Sequence, residues 1–374
     1  MKAEGIDVIS LTLGEPDFDV PSTVKDAAHE AIDQNYSHYS PVPGFLELRQ
    51  AIAHKLKRDN NLDYKPTQIC VSNGAKQAIL NVLAAIINDG DEVILPAPFW
   101  VSYVEMVKMM GGVPVYIETN IESDFKISAA QLEQAITSKT KAILYSSPCN
   151  PSGSFYTHEE LGKLATVIAK YPIITVISDE IYEFINYTGK HASIAAFPEI
   201  YEQVATINGM SKSFAMTGWR IGYSACPEWL AKACDKIQGQ MTSGANTVAQ
   251  RASIKALETN PQEFAFMIQE FRKRRDLVFD LMSEIKGFKV LLSKSAFYFF
   301  PDVSFWLGKT VNNQKIDDAD QFAMFLLENA HVGTVGGVSF GSPECIRFSY
   351  AASENDLREA MKRIRSFLEN AVIS

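Results

Sequence analysis

Residues 206–223, TINGMSKSFAMTGWRIGY, hold two apolar runs that are typical of buried strands, with a short segment of small and polar residues between them. Lys212 lies in this segment, flanked by serines, and Arg220 immediately precedes the second run. A lysine on a short turn between two buried strands is expected to lie near the core. Desolvation there lowers the pKa of its amine and makes the amine a nucleophile toward carbonyl groups. The alternative is an ordinary loop lysine that reaches solvent.

Apolar runs of strand length recur between residues 68 and 225. They lie at Gln68–Ser72, Glu92–Leu95, Val113–Ile117, Ala142–Tyr145, Ile173–Ser178, Val204–Ile207 and Arg220–Ala225. Helices are predicted between most of them, and one further short helix is predicted at Ile181–Phe184. Apolar strands that alternate with helices indicate an α/β fold with a mainly parallel sheet covered on both faces. Ligands of such sheets lie at the carboxyl ends of the strands.

The rest of the chain predicts a second, smaller domain. Two long helical stretches follow the last strand, from Glu228 to about Glu258 and from Pro261 to about Lys286. Short strands, one of them at Val290–Leu292, then interleave with two helices. We predict a large cofactor-binding domain over residues 39–285 and a small α/β domain formed by residues 1–38 and 286–374.

Composition narrows the functional classes. The chain has 374 residues, of which 47% are hydrophobic and 21% charged, and its formal net charge is -9. These values are typical of a soluble globular protein and do not favour a broad nucleic-acid surface, and no apolar run approaches the ~20 residues that span a bilayer. Cysteines and histidines are dispersed without metal-like spacing, and the first residues, MKAEGIDVIS, lack the apolar core of a signal peptide. We therefore expect a cytoplasmic protein with free thiols and no bound metal.

Side chains with useful chemistry follow several of the predicted strands. The first strand leads into Gly74-Ala75-Lys76 at the start of a helix, where free backbone N–H groups favour an anion; a plain strand-to-helix turn is the alternative. Asp179 and Tyr182 follow the fifth strand, Asn150 the fourth and Trp100 the second.

Together with Lys212 and Arg220, these groups suit one cofactor. Pyridoxal 5'-phosphate offers an aldehyde, a pyridine nitrogen, a phenolic oxygen, a flat ring and a phosphate. An amine, a carboxylate, hydrogen-bond donors, an aromatic side chain and an anion site are their matching partners.

Motifs along nearly the whole chain resemble those of the fold-type-I pyridoxal-phosphate aminotransferases, and within them the prokaryotic-type aspartate aminotransferase subgroup. They are LGEPDF (13–18), HYSPVPG (38–44), SNGAKQA (72–78), PAPFWVSY (96–103), SSPCNPSG (146–153), SDEIYE (178–183), SKSFAMTGWRIGY (211–223) and IRFSYA (346–351). The resemblance implies the PLP-dependent transferase fold of type I, with a seven-stranded, mainly parallel sheet in the large domain. It also implies an aminotransferase that works by ping-pong exchange through pyridoxamine phosphate.

The resemblance implies three catalytic residues. Lys212 resembles the lysine that forms an imine with the cofactor aldehyde and moves the proton from the substrate. Asp179 resembles the acid that pairs with the pyridine nitrogen and keeps the ring an electron sink. Tyr182, together with Asn150, resembles the residues that donate hydrogen bonds to the ring oxygen.

The remaining cofactor contacts are implied in the same way. Trp100 resembles the residue that stacks on the ring, and Arg220 with Gly74, Ala75 and Lys76 resembles the phosphate site. Tyr39 resembles a tyrosine that reaches the phosphate of the neighbouring subunit's cofactor, so the resemblance implies a homodimer with shared active sites. It also implies cis peptide bonds before Pro98 and Pro151.

Substrate contacts are implied for residues around the same site. Arg347 resembles the arginine that binds the substrate α-carboxylate, with Gly14, Trp100 and Asn150 beside it. Lys76 matches the lysine that holds a distal carboxylate, which favours L-aspartate or glutamate with 2-oxoglutarate as acceptor; a lysine that only neutralises phosphate is the alternative. Relatives usually carry a dimer arm before the position of Met1, and we expect such an arm to influence closure of the site.

Other activities remain open at this point. An aromatic or broad-specificity transaminase, or a glutamate–prephenate aminotransferase, uses the same cofactor residues. A carbon–sulfur β-lyase shares the fold, although Lys76 and the sequence TGWR argue against it. A non-catalytic PLP-binding regulator would need a winged-helix domain and a basic surface.

Overall fold

The computed structural model describes residues 1–373, with the side chains of Lys2 and Pro261 excepted. Its α-helices are α1 (Ser22–Asp33), α2 (Leu46–Asn60), α3 (Ala75–Ile86), α4 (Ser102–Met109), α5 (Ala129–Ala135), α6 (His158–Ile168), α7 (Glu228–Met241), α8 (Thr247–Glu258), α9 (Ala265–Ser283), α10 (Ala319–Ala330) and α11 (Glu354–Glu369). Its strands are β1 (Ile9–Ser10), β2 (Ile69–Asn73), β3 (Glu92–Pro96), β4 (Val113–Ile117), β5 (Thr140–Ser146), β6 (Thr175–Asp179), β7 (Val204–Gly209), β8 (Ile221–Ala225), β9 (Tyr298–Phe299), β10 (Lys309–Val311), β11 (Gln314–Ile316), β12 (Val332–Gly333), β13 (Val335–Gly336) and β14 (Ile346–Ser349).

A seven-stranded sheet with the order β2-β8-β7-β6-β5-β3-β4 forms the centre of the structure. Strand β8 runs antiparallel to both of its neighbours, and the other pairs are parallel. Strands β5 to β8 are almost entirely buried, as expected for apolar strands that helices cover on both faces. The mainly parallel α/β sheet predicted from the sequence is confirmed.

Three large clusters contain most of the buried apolar residues that the structure describes. The first contains residues of β2, β5, β6 and β8, the second residues of α10, α11, β9 and β14, and the third residues of α3, α4, α7 and β3. Strand β1 pairs in parallel with β12 of the second cluster, whereas Val24 and Ala28 of α1 belong to the first. The amino-terminal segment therefore contributes to the first and the second of these clusters, and the division at residues 39 and 286 stays a prediction.

Three local predictions were wrong. Ile181–Phe184 forms a turn, because the N–H of Ile181 bonds back to the Asp179 side chain at 3.2 Å. Val290–Leu292 is not a strand; Leu291 and Leu292 are exposed, and only the preceding Lys289 forms an isolated bridge. The helical stretch after Glu228 is interrupted between α7 and α8, where Ser243 has a φ of 60° and Asn246 caps α8 by accepting from the Ala249 N–H.

The helices are too short or too polar to cross a bilayer in the part of the chain that the structure describes. The peptide bonds before Pro98 and Pro151 are cis, as the resemblance implied, and the bond before Pro148 is cis as well.

Candidate active site

A cavity of about 360 Å³ lies where β2, β5 and β6 end. Its lining consists of Gly14, Ala75, Lys76, Trp100, Tyr103, Ser146, Asn150, Asp179, Ile181, Tyr182, Ser211, Lys212, Thr217, Arg220, Tyr298 and Arg347. This set holds every predicted site residue except Gly74 and Tyr39. The carboxyl edge of the sheet therefore gathers the predicted chemistry in one place.

Lys212 lies half-buried on the turn after β7, and its Nζ donates to the carbonyl oxygen of Gly14 at 2.5 Å. Burial lowers the pKa of its amine to about 8; the nearby Glu15 opposes this change and Arg220 adds to it. The amine is thus partly neutral near physiological pH. The predicted direction of the pKa is confirmed, and the alternative of an ordinary solvated lysine is not supported.

Asp179 is the last residue of β6 and is buried between β5 and β7. Its Oδ2 accepts from the Tyr103 hydroxyl at 2.6 Å, and its Oδ1 accepts from the Ile181 N–H at 3.2 Å. Burial raises its pKa to about 6, although both hydrogen bonds act in the opposite direction. Because both donors are neutral, the negative charge remains available to a cationic group in the cavity.

Arg347 of β14 is buried and held by two neutral oxygens. Nη1 donates to Oδ1 of Asn150 at 2.8 Å, and Nη2 donates to the carbonyl oxygen of Thr12 at 2.7 Å. Its Nε has no hydrogen-bond partner among the described residues. A buried guanidinium with neutral partners keeps its charge for a carboxylate, which it can bind with two parallel hydrogen bonds.

Tyr182 lies on the turn after β6, and its hydroxyl is 2.8 Å from the hydroxyl of Tyr298. Burial raises the pKa of Tyr182 well above its usual value, and the neighbouring Tyr298 adds to the rise. Tyr182 is therefore a neutral phenol that can donate a hydrogen bond at neutral pH.

The start of α3 has the geometry of an anion site. Gly74 has a φ of 84°, and a Cβ on it would lie 2.4 Å from Nη2 of Arg220, so only glycine allows the guanidinium to approach. Arg220 has a φ of 58°, and its Nη1 donates to the carbonyl oxygen of Thr217 at 2.9 Å. Gly222 of β8 packs equally closely against the start of α3, since a Cβ added to it would lie 2.2 Å from the backbone nitrogen of Ala75. The helix N-terminus and the guanidinium therefore converge.

Lys76 and Trp100 form one wall of the cavity. The Nζ of Lys76 lies 4.8 Å from the centre of the Trp100 ring, and that ring meets Tyr103 edge-on at 5.6 Å. Tyr39 lies outside the cavity, with 96% of its surface exposed.

Sequence reasoning assigned no role to Tyr103 and Tyr298. Tyr103 was inside the quoted motif PAPFWVSY, three residues after Trp100, and Tyr298 lies between Phe297 and Phe299. A buried tyrosine among apolar residues needs a partner for its hydroxyl, and that was the available signal.

A second polar group lies outside the cavity. Glu180, Glu183 and His191 place ligand-type atoms within 4.8 Å of one another. Glu183 is ion-paired with Lys55, and Glu180 contacts His191 Nε2 at 2.8 Å and accepts from Ser193 at 2.7 Å. Cations and donors of the chain itself thus already satisfy both carboxylates.

Residues 6–364 match the family described as "Aminotransferase class I and II". The chain belongs to this family. It is 45% identical to a "Probable aspartate/prephenate aminotransferase" of Rhizobium leguminosarum over 98% of this chain and 92% of that protein. It is 44% identical to an "Aspartate aminotransferase" of Bacillus subtilis over 99% of this chain and 93% of that protein.

A solved aspartate aminotransferase from Rhizobium meliloti has a similar fold, with a TM-score of 0.97 and 39% identity over 100% of this chain and 94% of that one. The predicted aminotransferase of fold type I is thereby confirmed. Class I and II aminotransferases depend on pyridoxal 5'-phosphate. The cavity of this aminotransferase fits that cofactor, because it holds an amine with a lowered pKa, a buried acid with neutral partners and an anion site at a helix N-terminus.

Proposed function

We propose that this aminotransferase moves the amino group of L-aspartate to 2-oxoglutarate in two successive half-reactions. The observation that carries the proposal is the cavity itself, which Lys212, Asp179 and Arg347 line together. When bound, pyridoxal 5'-phosphate supplies an aldehyde for the amino group and a ring that stabilises negative charge on the substrate Cα. The relatives named for aspartate support the choice of substrate.

Lys212 is the proposed base. An amine with a pKa of about 8 is partly unprotonated at neutral pH, so it can accept a proton from Cα and return it to another carbon. Asp179, buried with two neutral donors, balances a positive charge on the cofactor's ring nitrogen. Tyr182 and Asn150 donate to the ring oxygen, and Trp100 covers one face of the ring.

Two cations match the two carboxylates of an acidic substrate. Arg347 binds the α-carboxylate, and its hydrogen bonds to Asn150 and to Thr12 fix the plane of the guanidinium beside Gly14. Lys76, which lines the same cavity beside Trp100, binds the distal carboxylate. Gly74, Ala75 and Arg220 hold the phosphate, which anchors the cofactor while the substrate exchanges.

A homodimer with shared sites belongs to the proposal. An aromatic residue that is 96% exposed, as Tyr39 is, has surface available for a partner, and we propose that it reaches the phosphate in the other subunit. Mixed dimers of Tyr39→Ala and Lys212→Ala subunits would contain one intact site, so adding the Lys212→Ala subunit, which has no activity of its own, to the weakened Tyr39→Ala enzyme should raise the activity. Mixtures whose activity does not rise although hybrid dimers form would contradict shared sites.

A cytoplasmic location is also proposed. All five cysteines are free and buried, which suits a reducing compartment.

A donor panel tests the substrate proposal. Aspartate, tyrosine, phenylalanine and kynurenine are offered with 2-oxoglutarate, and glutamate is offered with oxaloacetate because its exchange with 2-oxoglutarate gives no net reaction. Among the donors offered with 2-oxoglutarate, aspartate should give the highest kcat/KM. Lys76→Ala should lower kcat/KM for aspartate by about 10-fold or more while leaving phenylalanine nearly unchanged, because only aspartate loses a charged contact. Turnover of an aromatic donor without turnover of aspartate would refute the proposal.

Prephenate is a second candidate acceptor. The Rhizobium leguminosarum relative is named for it, and Lys76 also borders an apolar groove of about 650 Å³ that Leu80, Phe99 and Tyr116 help to line. This groove offers apolar surface next to the proposed carboxylate site. We expect the enzyme to transfer the amino group of aspartate to prephenate. Replacing Leu80 with a charged residue should weaken this transfer.

A further inference from the structure

Tyr298 borders the cavity but has no part in the roles described so far. It lies in β9, which pairs with β14 opposite Ser349, and its side chain is completely buried. Strand β14 also carries Arg347, so the two side chains are fixed on one small sheet.

The hydroxyl and the ring of Tyr298 contact different parts of the site. The hydroxyl lies 2.8 Å from the Tyr182 hydroxyl. It also packs against the backbone of Gly14, where a Cβ would lie only 2.3 Å from it, and the carbonyl of that same glycine accepts from Lys212.

The ring of Tyr298 supports Arg347. The guanidinium carbon lies 4.8 Å from the ring centre, within the range of a cation–π contact. Because the guanidinium is buried, this contact is desolvated, and such contacts are among the stronger ones of their kind.

We propose that Tyr298 is a positioning residue that holds the Tyr182 phenol with its hydroxyl and the Arg347 guanidinium with its ring. The proposal rests on the proposed function, since it takes Tyr182 to contact the cofactor and Arg347 to contact the substrate. A single side chain then fixes the separation between the group that tunes the cofactor and the group that binds the α-carboxylate. This separation decides how the substrate is oriented on the cofactor.

Tyr298→Phe separates the two contacts, because it removes the hydroxyl and keeps the ring. When Tyr182 donates to the cofactor oxygen, its single proton is used there, so the Tyr298 hydroxyl has to donate to the Tyr182 oxygen. That donation polarises the Tyr182 O–H, and without it the Tyr182 phenol is a weaker donor to the cofactor oxygen. The pH midpoint of the visible absorbance of the loaded enzyme should therefore rise by about 0.3–1 pH unit. The KM for aspartate should stay within about threefold of the wild-type value, since the ring under Arg347 remains.

Tyr298→Leu removes both contacts. It should shift the absorbance midpoint as the Phe variant does and, in addition, raise the KM for aspartate by about 10-fold. Tyr350→Phe is the matched control, because its hydroxyl is equally buried and bonds Tyr187 and the Ala296 carbonyl at 3.1 Å each, away from the cavity. The control should lose some thermal stability but keep both the midpoint and the KM.

An unshifted midpoint in a folded, cofactor-loaded Tyr298→Phe would overturn the positioning role. A midpoint shift of the same size in Tyr350→Phe would overturn it as well. If the wild-type protein develops no cofactor absorbance, or shows no turnover of aspartate, the proposed function itself fails instead. Where the Leu variant does not fold, the Phe variant alone decides the question.

Discussion

The Tyr103 hydroxyl allows a direct test of how the site sets the pKa of the Asp179 carboxyl group. It donates to Oδ2 at 2.6 Å, while the ring packs edge-on against Trp100 at 5.6 Å. Tyr103→Phe removes the hydrogen bond and preserves this packing. A hydrogen bond to a charged group contributes ~1.5–3 kcal/mol, so its loss should raise the pKa of Asp179 by about one to two pH units.

The sign of the effect follows from the protonation state. Burial already raises the pKa of Asp179 to about 6, and the Tyr103 hydrogen bond opposes that rise. In the variant, the carboxyl group is protonated over more of the neutral range and cannot balance a positive ring nitrogen. We expect the acid limb of the pH profile for binding of pyridoxal 5'-phosphate to the apoenzyme to move upward by about one to two pH units, with a smaller loss of affinity at alkaline pH.

Tyr145→Phe is the control for this experiment. Tyr145 is a buried tyrosine whose hydroxyl accepts from Ser178 at 3.1 Å, one residue before Asp179, and it does not line the cavity in the described structure. Its variant should lose stability without moving the pH profile. An unchanged acid limb in Tyr103→Phe, or an equal movement in both variants, would refute the reasoning.

Stability, cofactor affinity and the lysine amine provide further tests. Lys55→Met leaves the Glu183 carboxylate buried without its ion-pair partner, so the free energy of unfolding measured in urea should fall by about 3–5 kcal/mol. The double variant Lys55→Met/Glu183→Leu should recover most of that loss. A double variant as unstable as the single one would contradict this explanation. Gly74→Ala adds backbone strain of about 1–3 kcal/mol and crowds Arg220, so pyridoxal phosphate should bind more weakly in a fluorescence titration. Gly90→Ala, at the same φ of 84° but with open space around it, should leave the affinity unchanged. In the apoenzyme, acylation of Lys212 followed by peptide mass spectrometry should reach half its maximal rate near pH 8, and a midpoint at the ordinary lysine value of 10.5 would be the opposite result.

The same pKa has a consequence for stability. The folded chain releases the Lys212 proton near pH 8, whereas an unfolded lysine keeps it until about pH 10.5. Because the unfolded state binds more protons in this window, stability of the apoenzyme should gain from rising pH there. Lys212→Met should remove that gain.

Features that depend on neighbouring residues in the chain were predictable. The strands of the central sheet are short apolar runs, and Asp179 and Asn150 were singled out because they lie in the segments that follow such runs. Parallel strands bring their carboxyl ends together, so a list of strand-end residues already approximates the cavity lining. The lowered pKa of Lys212 followed from its place between two buried strands.

Features that depend on distant contacts were not predictable in this way. Tyr103 and Asp179 are 76 residues apart, and Tyr182 and Tyr298 are 116 apart, so no local pattern pairs them. The periodicity of α1 predicts a helix but not that it packs on the larger core. The apolar residues of Val290–Leu292 suggested a strand, although no neighbouring strand was available to pair with them in the described structure.

Reductive trapping of the cofactor tests most directly whether Lys212 is the reacting amine. The enzyme loaded with pyridoxal 5'-phosphate is treated with borohydride and digested, and the peptides are examined by mass spectrometry. We expect the added pyridoxyl phosphate on the peptide that contains Lys212, and no such adduct in Lys212→Ala. Stable labelling of Lys76 instead, or an unlabelled Lys212 in enzyme that turns over aspartate, would contradict the assignment on which the proposed function depends.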